Sequence, residues 1–175
     1  MTSSERSGIG VDAGTGARPA TRTQPMFHRV LSAHPMTVRD TLNDVRQRFR
    51  AEVSDDTLGR LELVLAEVMN NVAEHAPLTA PDHSEPHLPV IHLCIVRHSG
   101  GLACALTDDG ASLPDDCLLP RGLPPMLADD MPEGGFGWFL IQDLTQALCY
   151  YREESRNYLA FSIPFTQREA EGTTA

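Results

Sequence analysis

The 175-residue sequence contains no lysine: all 14 of its basic residues are arginines. That absence excludes the P-loop lysine, the strand lysine of eukaryotic-type protein kinases and every Schiff-base mechanism, because each needs a side-chain primary amine. Any phosphate chemistry must run through arginine, backbone N–H groups or a metal ion. Positive charge is scarce overall, with 24 acidic residues against 14 basic ones and a formal net charge of −10. Direct nucleic-acid binding therefore lacks its cationic footprint, and a protein or small-ligand partner is expected instead. No apolar run approaches the ~18 residues of a membrane helix, so no membrane partner is expected. Cysteine is sparse too: Cys94, Cys104, Cys117 and Cys149 have no CxxC spacing, and residues 1–16 hold no apolar core with a cleavage site. A reducing, cytoplasmic setting follows as the expectation. Cys94 and Cys104 either face each other across a hairpin or are simply small buried hydrophobes. A chain of this size buries its own core without disulfide or metal staples.

What is present divides into a polar tail and one patterned domain. Residues 1–25 are Ser, Thr, Gly, Pro and Arg with almost no large apolar residue, too little to offset the entropy of ordering, and are expected to form a tail. Residues 26–166 are expected to form the domain and 167–175 a second tail. Phe27 to Ala33 alternates like a half-buried strand ended by His34-Pro35. Thr37 and Asp40 suggest a capping box for a first helix carrying Val38, Leu42, Val45 and Phe49. Ser54, Asp55 and Asp56 are N-cap candidates for a second helix with Leu58, Leu61, Leu65, Val68 and Val72 on one face, ending before Pro77.

Val90 to Arg97 and Leu102 to Thr107 flank a Ser99-Gly100-Gly101 turn and read as a hairpin. From Ala111 to Glu133 the sequence has five prolines and no periodicity, longer than ordinary structureless connections and suited to a binding loop. A third helix follows from Gly134-Gly135-Phe136-Gly137, with Leu140, Ile141, Leu144, Ala147 and Leu148 as its apolar face. Cys149 to Arg152 and Tyr158 to Phe165 then close the domain as a strand pair. This order predicts an α/β two-layer sandwich, with helices packed on one face of a mixed, largely antiparallel sheet.

Three local patterns carry chemistry. Glu67, Asn71 and His75 stand at i, i+4 and i+8, so all project from one side of the second helix, beside its apolar stripe. A carboxylate one turn before a carboxamide pairs a proton acceptor with a neutral metal ligand; a solvated helix face with a satisfied histidine is the plain alternative. Asp108, with Gly110 two residues on, places a carboxylate at a strand end next to a backbone that a ligand can approach closely; an ordinary Asp-Gly turn looks the same. Gly134, Gly135 and Gly137 lead straight into a helix, whose free N–H groups and dipole attract phosphate oxygens.

Together, Glu67-x3-Asn71-x3-His75, Asp108-x-Gly110 and Gly134-Gly135-x-Gly137 resemble the N box and two glycine boxes of GHKL ATPases, the Bergerat ATP-binding fold, over residues 26 to about 165. Within that superfamily the chain looks most like the short RsbW-type anti-sigma-factor serine/threonine kinases. The resemblance implies ATP and Mg²⁺ as cofactors, Glu67 as general base and Asn71 as holder of the Mg²⁺ that bridges the phosphates. It also implies that Asp108 accepts the adenine amino group, that Gly110 lets the ring lie close, and that Gly134, Gly135 and Gly137 donate to the phosphates. The implied partners are a STAS-type anti-sigma-factor antagonist as phosphorylation substrate, a sigma factor and a second copy of the chain. Such phosphoryl transfer rests on positioning and charge neutralisation, which a lysine-free chain can supply.

The sequence departs from that pattern at Ser112, where the family often has glycine. Asp108 to Glu133 also carries seven acidic residues and one cation, Arg121, which is the candidate phosphate contact. These departures favour the alternative of a non-catalytic or weakly nucleotide-binding interaction module of the same fold. His75 is assigned either to orienting a neighbour or to capping its helix.

Overall fold

The computed structural model describes residues 26–75, 88–113 and 136–166. Strand β1 (Phe27–Ser32) leads into α1 (Pro35–Phe49) and α2 (Asp55–Glu74). The hairpin β2 (Val90–His98) and β3 (Gly101–Asp108) comes next, then α3 (Phe136–Leu144) and the hairpin β4 (Gln146–Glu153) and β5 (Arg156–Pro164). The strands form one sheet in the order β1-β2-β3-β5-β4, and all four ladders are antiparallel. The largely antiparallel sheet of the sandwich is thus present, without a parallel pair among the described residues.

Alternation decides which face of the sheet is covered. Ile91, Leu93, Ile95, Leu102, Leu106, Leu159, Phe161 and Ile163 are all buried, and each occupies the same parity of its strand, which puts them on one face. The helices meet them with Val38, Val45 and Phe49 of α1, Leu58, Leu61, Leu65 and Val68 of α2, and Trp138 and Ile141 of α3. The β2–β3 turn closes tightly because Gly101 lies hard against β5. A Cβ there would sit 2.2 Å from the Ile163 carbonyl oxygen, so only glycine admits the pairing.

Two boundaries differ from the sequence expectation, each for a local reason. Helix α1 begins three residues earlier than a Thr37–Asp40 box requires. His34 is its N-cap, with Nδ1 accepting from Met36 N at 3.2 Å, and Pro35 takes the first turn, where a missing N–H costs nothing. The Thr37 hydroxyl instead donates back to the carbonyls of Ser32 and His34. Helix α3 stops at Leu144, where the Thr145 hydroxyl donates to Ile141 O at 2.6 Å. Ala147 then takes a left-handed φ of 52° in the irregular register between Gln146 and Cys149. Ala147 and Leu148 therefore belong to β4, where Leu148 packs on the core as a strand residue.

The structure also decides between the two readings of Cys94 and Cys104. Cys94 pairs in register with Ala105, and Cys104 with Ile95, which sends their side chains to opposite faces of the hairpin. Both are free thiols; Cys104 is buried in the core, where loss of solvent pushes its pKa far up, and Cys94 is half-buried on the other face. Cys117, Pro77, Arg121, Gly134 and Gly135 lie outside the described residues.

Candidate functional site

Helix α2 starts at Ser54, whose hydroxyl accepts from Thr57 N at 3.2 Å, with Asp55 and Asp56 in the positive end of the helix dipole. Its buried stripe against the sheet then fixes its rotation, and with it the direction of Glu67 and Asn71. His75 is the C-cap residue, its backbone N–H donating to Asn71 O at 3.1 Å, and it also lines the pocket beside Asn71.

Asn71 and His75 line one side of a narrow cleft, together with Val68 and Val72 of the same helix. The opposite side is built from Asp108 at the end of β3, Ala111, Ser112 and Leu113 beyond it, Trp138 of α3, Tyr150 of β4 and Asn157 of β5. The fold thus brings the carboxamide of α2 and the carboxylate of β3 to a single cleft. Glu67 lies outside the pocket lining and points at the first turn of α3. A Cβ added at Gly137 would come within 2.5 Å of Glu67 Oε2. The three sequence patterns therefore converge: Glu67 meets Gly137, and one turn further along α2 Asn71 shares its cleft with Asp108.

The Asp108 corner is closely bonded. Its Oδ1 accepts from Gly110 N at 2.9 Å and from Asn157 Nδ2 at 2.8 Å. Gly110 is needed here for room, since a Cβ would lie 2.9 Å from that same Oδ1 and 3.3 Å from Val72 Cγ1. Asp108 is only 9% exposed, and burial raises its carboxyl pKa above the ordinary carboxylate value. The neighbouring Asp109 adds to the rise, while the Asn157 and Gly110 hydrogen bonds and the Arg152 charge oppose it.

Asn157, Tyr150, Arg152 and Trp138 belong to this site and were not singled out from the sequence. Asn157 sits directly opposite Asp108 in the β3–β5 ladder. The available signal was strand parity: Leu159, Phe161 and Ile163 face inward, so Asn157 must too, and an inward polar residue beside a carboxylate is a functional candidate.

The opposite wall is unfinished. One amide atom of Asn71, assigned as Nδ2, is buried and has no hydrogen-bond partner among the described residues. Rotating the amide exchanges nitrogen and oxygen, so the observation is a buried carboxamide end with no partner among the described residues. That fits a neutral oxygen ligand for Mg²⁺, which keeps most of its coordination for water and phosphate and takes few protein ligands. The Asp108 corner fits a nucleobase with an exocyclic amino donor, and the start of α3 fits phosphate at a helix N-terminus.

A model of the histidine kinase-like ATPase domain matches residues 31–163. Among solved structures, the histidine kinase domain of a blue-light activated histidine kinase from Erythrobacter litoralis EL346 is similar, with 21% identity and a TM-score of 0.46. That match covers 77% of this chain and 62% of the other. No curated protein matches the sequence. Because the family model spans most of the chain and the fold agrees with it, the chain belongs to the histidine kinase-like ATPase domains of the GHKL superfamily.

Proposed function

We propose that this domain is an ATP- and Mg²⁺-dependent protein serine/threonine kinase acting in the cytoplasm. In this reading it phosphorylates a STAS-type anti-sigma-factor antagonist and binds a sigma factor in a partner-switching circuit. The single observation that carries the proposal is that α2 sets Glu67 against the first turn of α3 and, one turn on, brings Asn71 into the cleft it shares with the bonded Asp108. Mg²⁺ bound with ATP supplies neutralisation of phosphate charge and alignment of the transferred group.

The residues divide the remaining work. Asp108 accepts the adenine amino group through its second oxygen, and Gly110 keeps the approach to that corner open. Asn71 ligates the cation. Glu67 takes the proton from the incoming hydroxyl while an oxygen–phosphorus bond forms to the partner and the bond to the departing nucleoside diphosphate breaks. With no lysine in the chain, backbone donors at the start of α3 and the metal carry the charge neutralisation, with Arg121 as the candidate side-chain contact.

The test is transfer of labelled γ-phosphate to a STAS-type antagonist by wild type, Glu67→Ala and Asn71→Ala. Loss in both variants supports the assigned roles; equal transfer by all three rejects them. Calorimetric titration with Mg-ATP separates the alternative. Nucleotide binding without transfer to any antagonist, or no binding at all, favours the non-catalytic interaction module.

A further inference from the structure

We propose that Asn157 is the positioning residue for nucleobase recognition: its carboxamide, locked by Tyr150 and Arg152, holds Oδ1 of Asp108 and leaves Oδ2 as the oxygen offered to the base. The proposal rests on the nucleotide reading of the pocket and adds to it a residue outside the three sequence patterns.

The locking is visible atom by atom. Asn157 Oδ1 accepts from the Tyr150 hydroxyl at 2.8 Å and from Arg152 Nη1. Two donors on one oxygen leave no ambiguity about which end of the amide is nitrogen. Nδ2 must then face the other way, where it donates to Asp108 Oδ1 at 2.8 Å and to Ala111 O at 2.9 Å. Asp108 Oδ1 is consequently filled by two donors, Gly110 N and Asn157 Nδ2. No described residue donates to Oδ2.

The same three side chains fix the pocket wall beyond Asp108. Arg152 Nη1 donates to Gly110 O at 3.1 Å, and the Tyr150 hydroxyl accepts from Leu113 N at 3.1 Å. The β4–β5 hairpin thus holds backbone atoms of Gly110, Ala111 and Leu113 together with the carboxylate, and Asn157, 4% exposed, is the centre of that arrangement. A residue that merely filled space would need none of these bonds; one that orients Asp108 needs all of them.

A positioning role has a readout that a packing role lacks. The Asn157 donor stabilises the ionised form of Asp108, so its removal must make Asp108 easier to protonate. The other titratable or charged groups facing Asp108 are Asp109 beyond β3, Arg152 and Tyr150 on β4, and His75 at the end of α2. Trp138 of α3 carries no charge. All of these remain in an Asn157 variant, so a difference between variant and wild type isolates the amide.

The experiment uses the full chain with Asn157→Ser and Asn157→Ala, neither of which adds a charge beside Asp108. Folding is checked by melting at neutral pH. The Asp108 carboxyl is then titrated by NMR without nucleotide, and Mg-ATP affinity is measured across the acid range. The expected result is an Asp108 titration displaced to higher pH in both variants, with the acid loss of affinity moving alongside it. Each unit of displacement corresponds to about a tenfold weaker affinity at a fixed pH on that limb. An unmoved Asp108 titration in a folded variant overturns the proposal, as does a uniform loss of affinity with no change in the pH limb. If Mg-ATP fails to bind wild type, the nucleotide reading fails, and the NMR titration still decides the Asn157–Asp108 coupling by itself.

Discussion

The two polar groups that face each other across the cleft are treated in opposite ways. Asp108 has one oxygen filled by two protein donors within a ring of hydrogen bonds, whereas Asn71 presents a buried amide atom with no described partner. A buried polar group left without any partner costs about 1–3 kcal/mol, so a ligand that meets the Asn71 amide has more to gain there than at Asp108. The contrast assigns different histories to the two walls. The Asp108 corner, the proposed base contact, is bonded by protein groups alone, while the Asn71 end, the proposed metal ligand, has no partner among the described residues.

The largest test of that contrast removes the unfinished side. Asn71→Ala is expected to lower phosphoryl transfer about a hundredfold or more, the scale of losing one preorganised electrostatic contact. Its melting temperature should hold or rise, because an unsatisfied buried amide has gone. Transfer assays and thermal melts on one preparation check both halves, and a clear drop in melting temperature would mean that Asn71 is satisfied after all.

Asn157→Ala probes the finished side and should behave in reverse. It strips partners from Asp108, Tyr150 and Arg152 at once, so a destabilisation of about 3 kcal/mol is expected, measured by denaturant unfolding. A loss below about 1 kcal/mol would show that water replaces the amide and that the corner is not closed.

The difference between the walls also explains what the sequence made legible. Helix α2 was readable because Leu58, Leu61, Leu65 and Val68 repeat at helical spacing, and that stripe automatically orients Glu67 and Asn71. The Asp108 turn was readable because its residues are adjacent in sequence. Asn157 and Tyr150 were not, since their importance comes from the β3–β5–β4 pairing, which joins positions 49 residues apart for Asn157 and Asp108. Asn157 also follows Glu153-Glu154-Ser155-Arg156, a stretch that reads as a polar turn, and a turn is what the structure shows just before it. The α3–β4 boundary failed for a different reason: Leu144, Ala147 and Leu148 satisfy helical periodicity and strand burial alike, and only the left-handed Ala147 separates them.

A third prediction uses the charge on Asp108. Burial raises its carboxyl pKa in the fold above the unfolded value, so the folded chain holds that proton more tightly. Stability from this group is full below the unfolded pKa and is lost as pH rises through the folded pKa, where the buried group must ionise. Asp108→Asn removes the ionisation. The variant should therefore melt above wild type at neutral pH, and the advantage should close as pH falls into the acid range. Its Oδ1 can keep the Gly110 and Asn157 donors, which turns its amide nitrogen toward the pocket, donor against donor, and base binding should be lost. A variant that binds Mg-ATP as wild type does would remove Asp108 from recognition.

The smallest expected effect on the fold comes from Gly137→Ala, where the two walls meet the phosphate end. The new Cβ would fall 2.5 Å from Glu67 Oε2, and the three nearest atoms among the described residues all belong to that side chain. The obstacle is the tip of a flexible carboxylate, so the chain relieves it by turning Glu67 aside. Stability should change by no more than about 1 kcal/mol, the usual range for a substitution that disturbs no core packing. Transfer to a protein acceptor should fall much more than nucleotide affinity, because the displaced group is the proposed base and not the proposed nucleobase contact. Equal losses in affinity and transfer would place Gly137 with the nucleotide alone, and would leave the contact between Glu67 and α3 without a part in the chemistry.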